Sequence, residues 1–275
     1  ALAEFCVWRD FPWLLGERAA RPLAELRADG AFDEALFARW FHEVCVRTAR
    51  LVGHWMRVGF VHGVMNTDNM SLLGLTIDYG PFGFLDVYDP GWTPNTTDAH
   101  SRRYTFGNQP RIGAWNLAAL AEALTPLLEG VVDVQRVLDH YADAFARAHG
   151  TMLAHKLGLP RLDEERGDLA LVQTMFELMR STEVDWTLFF RGLMRVPVDA
   201  LEGRTPHEDE ARAWMGEASV SPKPFRSGAA MSNRFARSRM TGKKKAEDEA
   251  LPCTSISLGL PGFSKRYKAV LRLGV

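Results

Sequence analysis

His62-Gly-Val-Met-Asn-Thr-Asp-Asn-Met-Ser71, continued by Thr76-Ile-Asp-Tyr-Gly80 and Pro81-Phe-Gly-Phe-Leu-Asp-Val-Tyr-Asp-Pro90, is the stretch on which the reading of this chain turns. It sets Asp68, Asn69 and Asp78 around the short apolar run Leu72-Leu-Gly-Leu-Thr-Ile77. Magnesium takes hard oxygen ligands in an octahedron and shares a few protein oxygens with substrate phosphates, so two carboxylates and an amide in this setting suit a magnesium and nucleotide site. The plainer alternative is a polar loop in which Asp and Asn satisfy backbone amides, as both residues do in turns.

Outward from this stretch the chain is mostly helical. From Asp33, an N-cap residue type, apolar side chains recur at Phe37, Trp40, Phe41, Val44, Leu51, Val52, Trp55 and Met56, which predicts a helix ending near Gly59. Its aromatic face suits a buried central helix, and it delivers Phe60-Val61-His62 straight into the motif. The run Leu72 to Ile77 reads as a small strand or hairpin carrying Asp78 at its end. Tyr79 to Asn108, rich in Gly, Pro, Asp and Asn, reads as loop tied down by Phe82, Phe84, Tyr88 and Trp92.

Downstream, Pro110 opens a predicted helix with Ile112, Trp115, Leu117, Leu120 and Leu124, which Pro126 should stop. Val134, Val137, Leu138, Tyr141, Phe145 and Ala148 mark the next, with Gly150 as a candidate interruption. Leu169 to Met179 and Val184 to Met194 predict two more, the second opened by a capping box, Thr182-x-x-Asp185. Trp40, Trp55 and Trp115 are expected in the core, and His62 as a core histidine steadying the loop. Asp86, Asp89, Asn95 and Asp98 are expected to cap turns, and Arg102 and Arg103 to be solvated or salt-bridged.

Composition narrows the setting. The 33 basic and 34 acidic residues nearly cancel, so no whole-molecule attraction to nucleic acid or to a membrane is expected. Cys6, Cys45 and Cys253 have no zinc-ligand or disulfide-framework spacing, and Cys6 and Cys45 read as small buried hydrophobes. No apolar run approaches the ~18 residues needed to span a bilayer. A cytoplasmic location is expected, or a mitochondrial one in a eukaryote. Between Lys223 and Lys245 lie eight Lys or Arg and no acid, read as a solvated tail rather than a nucleic-acid patch.

In protein kinases a catalytic loop of the form H-R-D-x-x-x-x-N precedes D-F-G, and the Asn and second Asp hold metal ions. On that pattern His62 takes the His position, Asn69 the Asn, and Asp78-Tyr79-Gly80 the D-F-G. Val64 falls where a kinase needs its catalytic Asp and cannot accept a proton, while a carboxylate, Asp68, stands beside the metal-binding Asn.

The sequences HGVMNTDNMS and GLTIDYGPFGFLD and the following YDPG closely resemble the selenoprotein O (SelO/YdiU) family. The likeness continues through Arg103-Tyr104, Asn108-Gln109-Pro110, Trp115-Asn116-Leu117 and Asp185-x-Thr187-x-Phe189-Phe190-Arg191, over roughly residues 1 to 200. It implies a protein-kinase-like fold that binds ATP in an inverted orientation and moves AMP to Ser, Thr or Tyr hydroxyls of protein substrates. It also implies Asp68 as the proton acceptor, Asn69 and Asp78 as ligands of magnesium, or manganese in its place, and Asp78 as a residue near ATP. Family members carry an upstream small lobe with a Gly-rich segment, a Lys, an acidic partner and triphosphate-binding Arg residues, for which this chain has no counterpart. The expected fold class is therefore α+β, predominantly α-helical, a kinase-like C-lobe only. Residues 1–201 would form that lobe and residues 202–275 a divergent, poorly ordered basic tail. Two other readings are a noncatalytic fragment and a kinase-like phosphotransferase; the latter would need an Asp near Val64.

Overall fold

Asp33 begins the helix around which the rest is built. Its side chain accepts the Leu36 N–H at 2.7 Å, and α3 (Glu34–Val58) then runs to Gly59, whose φ of 72° turns the chain out of the helix. A side chain at 59 would also meet the Trp186 ring, 2.8 Å from an added Cβ, so glycine is required on two counts. The face of α3 that includes Phe37, Trp40, Phe41, Val44, Val52, Trp55 and Met56 is buried, as its periodicity predicts.

The computed structural model describes residues 1–128, 134–181 and 183–195. The side chains of Val134 and Val137, Thr182, the boundary expected near Leu201 and the basic run from Lys223 to Lys245 lie outside the described residues. Two short helices, α1 (Leu2–Asp10) and α2 (Leu23–Ala28), flank a 3-10 segment, Pro12–Ala20, on the amino-terminal side of α3. After α3 come β1 (Phe60–Val61) and β2 (Gly83–Phe84), an antiparallel pair in the register Phe60↔Phe84 and Val61↔Gly83. The helices α4 (Gln109–Leu128), α5 (Val134–Lys156), α6 (Asp168–Ser181) and α7 (Trp186–Leu193) complete the body. The architecture is mostly helical with one small sheet, as expected of an α+β chain. α3 packs chiefly on α5 and then on α4, so one core runs through all three. Among the described residues no helix is long and apolar enough to cross a membrane.

Several local expectations are corrected. Of the small strand or hairpin expected over Leu72–Ile77, no strand forms and the hairpin holds: a lone antiparallel bridge, Met70↔Thr76, closes a turn held by the Trp55 indole N–H donating to Thr76 Oγ1 at 2.9 Å. Pro126 sits inside α4, because a proline near a helix end removes one donor without stopping the last turn, and Leu124 and Leu128 stay buried. Gly150 does not interrupt α5, where buried Phe145, His149 and Leu153 hold both flanks. Asp185 is itself the N-cap of α7, accepting the Leu188 N–H at 2.7 Å, rather than the N3 acid of a capping box begun at Thr182. Trp115 is not core. It is 37% exposed and lies beneath the Arg103 guanidinium, 4.5 Å from its ring centre, which also gives that arginine an aromatic rather than an acidic partner.

The loop between β2 and α4 is fastened to the far helices by aromatic packing. Buried Tyr88 stacks on Phe176 at 5.2 Å and on Trp186 at 5.4 Å, and the backbone links Tyr88 to Val184 and Trp186 to Asp86. Phe82 and Phe84, expected to share in that fastening, remain exposed and pack against Phe60 of β1 instead.

Candidate active site

The motif leaves β1 through His62, which is 1% exposed. Its backbone N–H donates to Gln109 Oε1 at 3.0 Å, and Gln109 Nε2 donates to the Phe60 carbonyl at 2.8 Å, so one fully buried amide clips the end of β1 to the start of α4. On the ring, Nε2 lies 2.8 Å from the Ile77 carbonyl. A carbonyl only accepts, so Nε2 carries the proton, and Nδ1 is left to accept the Val64 N–H at 3.4 Å. His62 thus ties the segment leading to Asp68 to the residue before Asp78. This is the steadying role expected of it.

Gly63 follows at φ 81°, where a Cβ would lie 2.9 Å from the Pro81 carbonyl oxygen, and buried Asn95 donates to its carbonyl at 3.0 Å. Met65 is fully buried and its carbonyl accepts from Asn116 Nδ2 at 3.0 Å. With both ends anchored, Asn66 opens a single 3-10 turn, Thr67–Asn69, and the Tyr104 hydroxyl donates to Asn66 Oδ1. Asn69 Nδ2 donates to the Val64 carbonyl at 3.0 Å, which fixes the amide and leaves Oδ1 as its free acceptor among the described residues.

Asp68 and Asp78 are exposed, and neither accepts a hydrogen bond or pairs with a cation among the described residues. Asp86, expected to cap a turn, is likewise exposed, and its side chain accepts no hydrogen bond among the described residues. Asp78 adopts φ 54°, rare for a residue with a side chain, and its carbonyl accepts the Gly80 N–H at 2.8 Å. Asp98, by contrast, is buried and consumed in structure: it accepts from the Arg103 and Tyr104 N–H groups and the Ser101 hydroxyl. Asp89 and Asn95 likewise accept backbone N–H groups, as turn residues should. Asp86 is pushed above the usual carboxylate range by partial burial and then by the nearby Asp185 charge.

Among the described residues no three or more His, Cys, Asp or Glu side chains gather closely enough to hold a metal by themselves. The donor set in the motif is two unpaired carboxylates and one oriented amide oxygen, which fits a hard cation that takes most of its ligands from phosphate and water. Gln109 and Asn116 build the site, and although both fall in stretches that carry the family resemblance, their roles do not show in the sequence, because their partners lie 47 and 51 residues away.

A family model described as protein adenylyltransferase SelO matches residues 2–216. The chain belongs to the SelO family. Relatives bearing the name protein nucleotidyltransferase YdiU include those of Aromatoleum aromaticum, 51% identical over 199 residues, and Xanthomonas axonopodis pv. citri, 51% over 196. That of Nitrosospira multiformis is 50% identical over 202 residues. These alignments cover 72%, 71% and 74% of this chain and 35%, 35% and 33% of the relatives, so the chain spans about a third of their length. The SelO match extends across every element that builds the site, from α1 to α7.

Proposed function

We propose that Asp68, Asn69 and Asp78 form the metal and nucleotide end of a protein adenylyltransferase site, in a kinase-like carboxyl lobe, that moves AMP from ATP to a Ser, Thr or Tyr hydroxyl. The observation that carries this is the pair of unpaired carboxylates held on two loops that His62 joins, in a chain of the SelO family. The order of parts, a central helix, a metal-type loop, a hairpin turn and Asp-Tyr-Gly, supports the kinase-like arrangement. Position 64 supports adenylyl over phosphoryl transfer. Val64 has no proton-accepting group, and its backbone is committed to His62 and Asn69.

In this reading the substrate hydroxyl oxygen attacks the α-phosphorus of ATP while its proton passes to the Asp68 carboxylate. The bond from the α-phosphorus to the bridging oxygen breaks, and pyrophosphate departs. Asn69 Oδ1 and Asp78 would hold a magnesium ion, whose charge would offset that of the phosphates. Asn69 is kept in position by its bond to Val64, and Asp78 by the turn to Gly80.

Incubating the protein that carries these residues with magnesium and ATP labelled at the α-phosphorus, then at the γ-phosphorus, tests the reading. Label is expected on protein only from the α position, and transfer from the γ position alone would sink it. Asp78→Ala and Asp68→Asn are each expected to lower labelling by at least ~10²-fold, the scale typical of a lost general base or charge-stabilising contact.

A further inference from the structure

The carboxyl-terminal halves of α3 and α5 carry a charge pattern that the near-neutral whole does not show. No Asp or Glu falls between Val44 and Thr67 or between Ala144 and Leu162. The two helices run side by side in the same direction. The His42 and His140 rings meet at 5.2 Å, an added Cβ on Gly53 would touch Ala148 and Met152, and Arg57 adds to burial in pushing the Lys156 pKa down to about 8. The two acid-free halves therefore lie together. Between them is an open groove of about 410 Å³, lined by apolar Val46, Ala148 and Met152 and by Arg50, His54 and Arg147. Arg50, Arg57 and Arg147 are exposed, and none has an acidic or hydrogen-bonded partner among the described residues.

Cations in the last turn of a helix complement its dipole, which accounts for Arg57 and Lys156. Arg50, His54 and Arg147 lie too far back for that. A cluster of one sign without partners is complementary to an anion. Arg50 and His54, about one turn apart, are separated by ~6 Å along α3, close to the ~6.6 Å between alternate residues of an extended chain. Arg147 and Lys156 stand ~13 Å apart along α5, about two such steps. No aromatic ring lines the groove, which tells against a nucleic-acid strand, whose bases need a stacking surface. We propose that the α3–α5 groove docks an extended segment of a partner protein with acidic residues at alternate positions. Its acidic stems would cross Ala148 and Met152, and their carboxylates would meet Arg50, His54 and Arg147. None of Asp68, Asn69 and Asp78 lines the groove, so the proposal does not rest on adenylyl transfer.

The probe is a short fluorescein-labelled peptide of alternating Glu and Ala, compared with a second of the same composition whose Glu residues are contiguous. Titrated with the 275-residue chain and followed by anisotropy, the alternating peptide is expected to bind saturably, about fivefold tighter than the contiguous one, and more weakly as salt rises. Arg147→Glu is expected to weaken binding about tenfold. Arg18→Glu, the same charge change at an exposed arginine outside α3 and α5, is expected to leave it unchanged. If Arg147→Glu does not fold by circular dichroism, Arg50→Glu serves in its place. No saturable binding, equal affinity for the two peptides, an equal loss in Arg18→Glu, or tighter binding of a single-stranded oligothymidylate of equal charge would each overturn the proposal.

Discussion

His62 does its work through a single protonation state: Nε2 gives a proton to Ile77 and Nδ1 receives one from Val64. Phenylalanine at this position would keep the ring volume and lose both bonds. His62→Phe is expected to cost about 1–3 kcal/mol in urea denaturation and to depress AMP labelling more than this stability loss explains, since Asp78 would no longer be held to the Asp68 turn. Gln109→Leu should be the more damaging change to the fold. It leaves the His62 N–H and the Phe60 carbonyl unpaired in a buried place, with an expected loss of about 2–5 kcal/mol. The two residues also mark what can be read in advance. The place of His62 is legible because it opens a motif, whereas the role of Gln109 depends on His62, 47 residues earlier.

At the scale of elements, α3 is legible at both ends because its signals are local: an N-cap acid, a period of apolar side chains and a terminal glycine. Asp33→Ala is expected to lower stability by about 1 kcal/mol. Gly59→Ala should cost more, about 2–4 kcal/mol by denaturation midpoint, because the left-handed backbone and the Trp186 ring both resist a Cβ. The elements that mislead do so where tertiary contact overrides pattern. Trp115 has helical spacing, yet α4 turns it outward to meet Arg103, a partner supplied by a loop that sequence periodicity does not describe. The 70–76 turn has the apolar run of a strand, but it rests on α3 and, among the described residues, has no neighbouring strand to pair with beyond the single bridge at Met70.

For the molecule as a whole, acid is the condition to which the core should respond. His149 is buried beside Phe145, and burial pushes its pKa down to about 4 from an ordinary value near 6.5. Between those values the unfolded chain binds the proton and the folded chain does not, so stability is full above pH 6.5 and falls as the pH drops towards 4. The loss amounts to about 3 kcal/mol at the lower end. His42, held low by burial and then by His140, acts in the same direction. Urea midpoints measured from about pH 7 to about pH 4 should decline, and His149→Phe should flatten that decline.

The Gln109 clip also bears on the order in which the molecule assembles. It closes a chain segment of 47 residues, and such closure carries an entropic cost that grows with the logarithm of length. The α3–α5 pairing closes about twice that length, with Gly53 against Ala148, so the order is set instead by local support: residues 62–82 lie outside the helices and hang on a few side-chain bonds, and are expected to be released first. In native-state hydrogen exchange, the amides of residues 62–82 should open at a lower free energy than those at the middle of α3 and α5.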